Sequence, residues 1–159
     1  MENIEKDYEE FLRLLNKHKV KYCIVGAYAL AFYAAPRYTK DMDVYLEQSI
    51  DNASRILEAL REFGFADLKI TEKDLLEPKA IIQLGFEPVR IDLITFIDGC
   101  SFKRTWKNRN KGKYGKEKIN FIGLKELIQN KRASNRLQDQ ADLELLKQYS
   151  AHKKKKPQL

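Results

Sequence analysis

The sequence predicts an α+β domain. Three observations carry this: an amphipathic helical face opens the chain, short β-branched runs alternate with helical stretches through its middle, and two helical stretches close it. In the first segment Ile4, Tyr8, Phe11, Leu12 and Leu15 recur at helical spacing with charges between them, the pattern of a helix with one buried face. Tyr22-Cys-Ile-Val25 is a short apolar run that reads as a buried strand. Gly26 follows it, and Ala27 to Tyr33, rich in Ala and Leu, predicts a helix ended by Pro36 or the loop around it. Met42 to Leu46 predicts a second strand. Asp51 is placed to cap a helix running to about Glu62, with Ile56, Leu57 and Leu60 inward and Gly64 ending it.

Thr71-Glu-Lys-Asp74 has the form of a capping box with Asp in the Glu position, which predicts a short helix. Ala80 to Leu84 and Val89 to Thr95 are strand-like runs joined by Gly85-Phe-Glu-Pro88, the pattern of a hairpin with a four-residue turn. Ser101 is placed to cap a helix through about Arg109. Lys111-Gly-Lys-Tyr-Gly115 predicts a turn or loop before a strand at Lys118 to Ile122. Helices are expected from Leu124 to about Ser134 and from Leu137 to Tyr149. The chain therefore reads as one domain over 1–150, with a basic, disordered tail over 151–159 that carries the run Lys153-Lys-Lys-Lys156.

A chain of 159 residues, 43% of them hydrophobic, can bury a core without disulfides. The formal net charge of +7 points to an anionic partner such as a nucleotide or RNA. No apolar run approaches the roughly 20 residues that span a membrane, and the acidic start Met-Glu-Asn-Ile-Glu-Lys-Asp does not read as a signal peptide. Cys23 and Cys100 stand far apart in sequence and lack zinc-site spacing. They fit reduced thiols, and with them a cytoplasmic location. His18 and His152 are isolated and receive no catalytic role.

The chemistry is expected in the stretch from Val25 to Tyr45, which runs strand, Gly, helix, loop, then a strand opening Asp41-Met-Asp43. Residues i and i+2 of a strand face the same way, about 7 Å apart along its axis. Two like charges so placed repel, and burial raises the cost. A divalent cation such as magnesium, which prefers oxygen ligands and shares them with substrate phosphates, would relieve it. Asp92 is a lone acid in the apolar run Val89-Arg-Ile-Asp-Leu-Ile-Thr95. It either pairs with Arg90 or a helix residue, or, if its strand lies beside the first acidic strand, completes a set of three carboxylates. Gly26, between a strand and a helix, lets backbone approach a phosphate at a helix N-terminus. Arg37, Thr39 and Lys40 stand just before the acids, where they could contact phosphate or ribose oxygens.

With these residues in hand, the chain resembles a small bacterial and archaeal nucleotidyltransferase-like family of the DNA polymerase β-type superfamily, related to minimal toxin- and antitoxin-type members. Four blocks carry the resemblance across about Tyr22 to Tyr149: Val25 to Val44, Ile82 to Thr95, Gly99 to Arg109 and Leu124 to Leu143. It implies a mixed β-sheet flanked by helices, with helices at the C-terminus. It implies metal-binding, catalytic roles for Asp41, Asp43 and Asp92, with Mg2+ or Mn2+ as cofactor and a nucleoside triphosphate as substrate. It also implies a phosphate-side role for Lys131, with Arg136, Asp139 and Asp142 matching the rest of the C-terminal block. The implied acceptor is a hydroxyl of RNA such as tRNA, of a protein or of a small molecule, and a two-gene toxin–antitoxin setting with a partner protein follows from the relatives.

One position departs from the pattern. The superfamily usually has Gly-Gly or Gly-Ser at the strand-to-helix turn, whereas this chain has Gly26-Ala27. Ala27, at a nucleotide-binding position, brings no hydroxyl to a phosphate. A second reading follows, a catalytically degenerate RNA- or protein-binding module of the same fold. Several side chains keep two readings. Lys131 is either a phosphate ligand or a charge near the carboxylates that holds the fold together. Asp139 and Asp142 sit three apart on one helix face, placed to bond Arg136 or Lys131. Trp106 is a base-stacking platform or a core residue. Lys103 to Lys118, with eight Lys or Arg against one Glu, is an RNA track or a solvated basic loop.

Overall fold

The resemblance to mixed-sheet proteins can be followed strand by strand. A computed structural model of the chain describes residues 2–34, 41–65, 68–86 and 89–155. Its elements in chain order are α1 (Glu2–Lys17), β1 (Tyr22–Val25), α2 (Gly26–Tyr33), β2 (Asp41–Leu46), α3 (Ile50–Phe63), α4 (Glu72–Leu76) and β3 (Ile81–Phe86). They continue with β4 (Val89–Ile94), α5 (Phe102–Lys107), β5 (Asn110–Tyr114), β6 (Glu117–Phe121), α6 (Leu124–Ser134) and α7 (Leu137–Lys155). Among the described residues six strands form one sheet in the order β3-β4-β2-β1-β6-β5. Sequence neighbours β1–β2, β3–β4 and β5–β6 pair antiparallel. The joins β2–β4 and β1–β6 are parallel, which makes the sheet mixed. The architecture is α+β, with helices flanking the sheet and two helices closing the chain.

Strand alternation gives the sheet two unlike faces. Tyr22, Ile24, Met42, Val44, Leu46, Ile91 and Leu93 share one face and are all buried. The Tyr22 hydroxyl there donates to Asn16 Oδ1 of α1 at 2.9 Å, and α1 in turn meets α3 through the Phe11 and Phe63 rings, 5.3 Å apart. The opposite face carries Cys23, Val25, Tyr45 and Ile94, together with Asp41, Asp43 and Asp92. Helix α5 covers part of that face: the Tyr45 ring stands edge-on to Phe102 at 5.2 Å, and the Cys23 thiol donates to the Thr105 carbonyl. The Cys100 thiol lies 3.2 Å from Thr105 Oγ1, so the two buried free cysteines, distant in sequence, meet the same residue.

Local details depart from the sequence reading at four places. The α3 cap is Ser49, whose hydroxyl accepts from the Asn52 amide at 3.1 Å; Asp51 lies in the first turn, where its charge favours the helix dipole. The β3–β4 ladder continues to the pair Phe86↔Val89, so Gly85 and Phe86 belong to the strand rather than to a four-residue turn, and positions 87–88 lie outside the described residues. Gly85 is suited to that place because its φ is +69° and a Cβ would come 2.7 Å from the Val89 carbonyl oxygen. The segment read as a turn at Lys111–Gly115 forms strand β5 at the sheet edge. Its lysines alternate with Gly112 and half-buried Tyr114 rather than with large apolar residues, which hides the strand period while guarding an open edge. Finally, α7 runs past Tyr149 to Lys155, into the stretch read as a disordered tail.

Candidate active site

The three acids are brought together by register. Strand β2 lies between β1 and β4, and its pairing sets Asp43 opposite Val25 on one side and Asp92 on the other. Asp41 is set opposite Arg90. Alternation then points Asp41, Asp43 and Asp92 to one face, and one carboxylate oxygen of each lies within 4.8 Å of the others. The parallel neighbour that the sequence reading required for Asp92 is present.

Gly26 is explained by this cluster. Its φ is +69°, and a Cβ at that position would overlap the Asp43 carboxylate. The glycine clears room for the acid as well as bringing backbone into the cleft. Helix α2 starts at Gly26 with no side-chain cap, so the positive end of its dipole is left to what enters beside Asp43. Ala27 sits half-buried in its first turn. Arg37, Thr39 and Lys40 lie outside the described residues.

The electrostatics of the cluster ask for a cation. Burial, and then the charges of Asp41 and Asp92, push the Asp43 carboxyl up to about 7, against the opposing pull of Lys131 and Arg90. Asp92, only 6% exposed, receives both arms of the Arg90 guanidinium: Nε donates to Oδ1 and an Nη to Oδ2, each at 3.1 Å. Asp92 therefore does both things the sequence allowed, pairing with Arg90 and joining the other two acids. Three hard oxygen donors in one place, with too little positive charge among them, suit a divalent cation.

A cleft of about 230 Å³ opens beside Asp43. Val25, Gly26 and Asp43 line it together with Ile94, Ile97 and Asp98, and with Asn130, Lys131, Ser134 and Arg136 from the C-terminal part of the chain. Lys131 thus reaches the acid cluster's cleft from α6, far away in sequence. Its ammonium is buried and held by Asp142 Oδ2 at 3.0 Å and Asp139 Oδ1 at 3.4 Å, both carboxylates being fully buried. Asp139 also accepts from Ser134 Oγ at 2.8 Å and from the Arg136 amide and Nε at 3.0 Å each. Burial opposes ionisation of Asp139, but the Arg136 and Ser134 hydrogen bonds and the Lys131 charge outweigh it and hold the carboxyl well below its ordinary value. Of the two readings of Lys131, the ion pairs that fasten the α6–α7 corner are present, and the residue also lines the cleft.

Ile97, Asp98, Asn130 and Ser134 escaped the sequence reading because only the tertiary fold brings the segment after β4 and helix α6 to one cleft. Asp98 gave a usable signal, a polar residue just past an apolar strand. The Trp106 ring, half-buried, is covered by the Arg109 guanidinium at 3.6 Å and flanked by Phe102. That face is already occupied by the protein.

Carboxylates on adjacent parallel strands, a glycine turn into a helix and a lysine-bearing C-terminal helix pair on one mixed sheet define a nucleotidyltransferase-type domain. The chain belongs to the family described as nucleotidyl transferase of unknown function (DUF2204), whose model matches residues 4–158. No curated protein sequence matches it. Among solved structures it is similar to the lincosamide antibiotic adenylyltransferase LnuA in its lincomycin-bound form, with a TM-score of 0.56 and 15% identity over 89% of this chain and 95% of that one. It is also similar to TM1012 of Thermotoga maritima, assigned as a nucleotidyltransferase, with a TM-score of 0.55 and 15% identity over 91% of each chain. At such identity the likeness is one of fold. No helix among the described residues is long and apolar enough to cross a membrane.

Proposed function

We propose that the protein is a divalent-cation-dependent nucleotidyltransferase that moves a nucleoside monophosphate from a nucleoside triphosphate to a hydroxyl and releases pyrophosphate. The observation that carries this is the convergence of Asp41, Asp43 and Asp92 within 4.8 Å beside a cleft lined by Asp43, Lys131 and Arg136. Asp41, Asp43 and Asp92 hold Mg2+ or Mn2+. When bound, the cation neutralises phosphate charge and makes the acceptor hydroxyl more acidic. Gly26 and the first turn of α2 receive phosphate oxygens through backbone N–H groups. Lys131 and Arg136, already bonded by Asp139 and Asp142, are assigned to phosphate oxygens as N–H donors, and Arg37, Thr39 and Lys40 are assigned to the phosphates and ribose from sequence. The acceptor oxygen bonds the α-phosphorus as the bond to the bridging oxygen breaks, pyrophosphate departs, and Asp92 takes the acceptor proton.

The acceptor is RNA, a protein hydroxyl or a small molecule. The net charge of +7 favours RNA, while the likeness to a lincosamide adenylyltransferase keeps a small molecule in view. A toxin–antitoxin pairing in the cytoplasm is the setting the resemblance suggests. The test is incubation with each labelled nucleoside triphosphate, magnesium and total RNA, protein or small-molecule extract. Label should pass to one fraction with the wild-type chain and not with Asp43→Asn. No transfer to any fraction counts against the reading.

A second reading is favoured by Ala27 and by the basic segment, whose lysines line edge strand β5: a non-catalytic RNA- or protein-binding module such as an antitoxin. It expects salt-sensitive RNA binding that survives loss of all three carboxylates. Carboxylate-dependent turnover rules it out.

A further inference from the structure

We propose that Arg90 is the resident counter-ion of the acid cluster, occupying Asp92 in the metal-free protein and surrendering it when a divalent cation arrives. The proposal rests on the metal-binding reading of Asp41, Asp43 and Asp92 given above and adds the residue that sets how readily the metal enters.

The geometry is that of an occupied ligand. The guanidinium fork engages both oxygens of Asp92, each at 3.1 Å. A cation that takes an oxygen of Asp92 must share it with Arg90 or displace one arm. Arg90 also stands opposite Asp41 in the β2–β4 register, and its charge bears on Asp41 and Asp43 as well as Asp92. One guanidinium is thus bonded to Asp92 and acts on the other two carboxylates only through its field. It offsets only part of their repulsion, which leaves the cluster short of positive charge yet partly closed to a metal.

The same residue is built to move at its tip and not at its base. The Tyr8 hydroxyl of α1 donates to the Arg90 carbonyl oxygen at 3.1 Å and lies 3.3 Å from the Arg90 amide, which donates to it. Helix α1 therefore fixes the Arg90 backbone from both polar atoms. The side chain keeps 33% of its surface exposed against 9% for Asp92, so the guanidinium has a solvent side to turn toward while Asp92 stays in place. Arginine, always charged and forked, makes a firm but exchangeable plug for a carboxylate.

Two consequences separate this role from a purely structural one. Removing the guanidinium should make the metal-free protein less stable, because the acids lose a counter-charge. It should also make the cation bind more tightly, because a competitor and a like charge are gone. A structural arginine would weaken both.

The experiment is titration of the full chain with Mn2+, without nucleotide, following free Mn2+ by its paramagnetic resonance signal, for the wild type, Arg90→Gln, Arg90→Lys and Asp92→Asn. Thermal melts with and without Mn2+ accompany each titration. Arg90→Gln is expected to bind Mn2+ about tenfold or more tightly than the wild type, to melt lower without metal and to gain more from it. Arg90→Lys, which keeps the charge but not the fork, should fall between, and Asp92→Asn should bind weakly. Mn2+ binding by Arg90→Gln that equals or falls below a measurable wild-type affinity overturns this proposal alone. If neither chain binds Mn2+, the metal-site reading falls and takes this proposal with it.

Discussion

Asp43 carries an ionisation that the metal-free fold resists. Its carboxyl is pushed up to about 7 from an ordinary 3.8, by burial first and by Asp41 and Asp92 next. The folded state therefore holds this proton more tightly than the unfolded chain does. The sign follows: the penalty on folding is absent below about 3.8, grows as the pH rises and is complete above about 7. Asp43→Asn should accordingly be more stable than the wild type in metal-free buffer at neutral pH, by of order 2–4 kcal/mol. Paired denaturation curves should show that margin closing as the pH is lowered toward about 4. The same substitution should abolish nucleotidyl transfer, a gain of stability bought by loss of function. Next to it, Gly26→Ala places a Cβ on the Asp43 carboxylate at a left-handed φ, with a strain of about 1–2 kcal/mol from the backbone alone. Calorimetry should find cation binding impaired in Gly26→Ala even where circular dichroism shows the fold retained. Ala27→Ser tests the departure from the family pattern. A hydroxyl restored in the first turn of α2 should tighten nucleoside triphosphate binding by about 2–10-fold, the worth of one net hydrogen bond.

Between elements, the corner joining α6 to α7 is where structure and proposed chemistry share residues. Asp139 and Asp142 hold the buried Lys131 ammonium, and Asp139 also ties Ser134 and Arg136 across the turn. Removing one partner leaves a buried charge short of compensation, so Asp139→Ala should destabilise the fold by about 3–5 kcal/mol in equilibrium denaturation. The depressed Asp139 carboxyl acts with the opposite sign to Asp43. Its stabilisation is present above the ordinary carboxylate value and is lost as the pH falls through the folded-state value. Elements with strong local signals were legible. Gly64 ends α3 in a left-handed cap, and the Thr71–Asp74 capping box opens α4, because caps are decided by residues within one turn. Strand β5 was not legible, since only Tyr114 marks its half-buried face and Gly112 beside it has no side chain to read. Ser49 rather than Asp51 caps α3 because both side chains suit the position and only backbone geometry separates them.

Across the whole molecule, what the sequence left open was which strands meet. Parity alone put Asp41 and Asp43 on one face, but Asp92 joins them only because β4 crosses to lie parallel to β2, a long-range pairing with no local signature. The cleft residues Asn130, Lys131, Ser134 and Arg136 depend in the same way on where α6 and the turn after it lie. A site assembled from β1, β2, β4 and α6 should couple ligand binding to global stability. Magnesium with a nucleoside triphosphate at about 100 times its dissociation constant should add about 2.7 kcal/mol, raising the melting temperature by roughly 5–10 °C. The central claim, that three aspartates form a metal-assisted nucleotide site, is tested most directly by calorimetric titration of nucleoside triphosphates into the wild type and Asp43→Asn, with and without magnesium. Binding of at least one triphosphate by the wild type that requires magnesium and is lost in Asp43→Asn is the predicted result. Failure of every triphosphate to bind with magnesium, or binding that Asp43→Asn leaves unchanged, would contradict it.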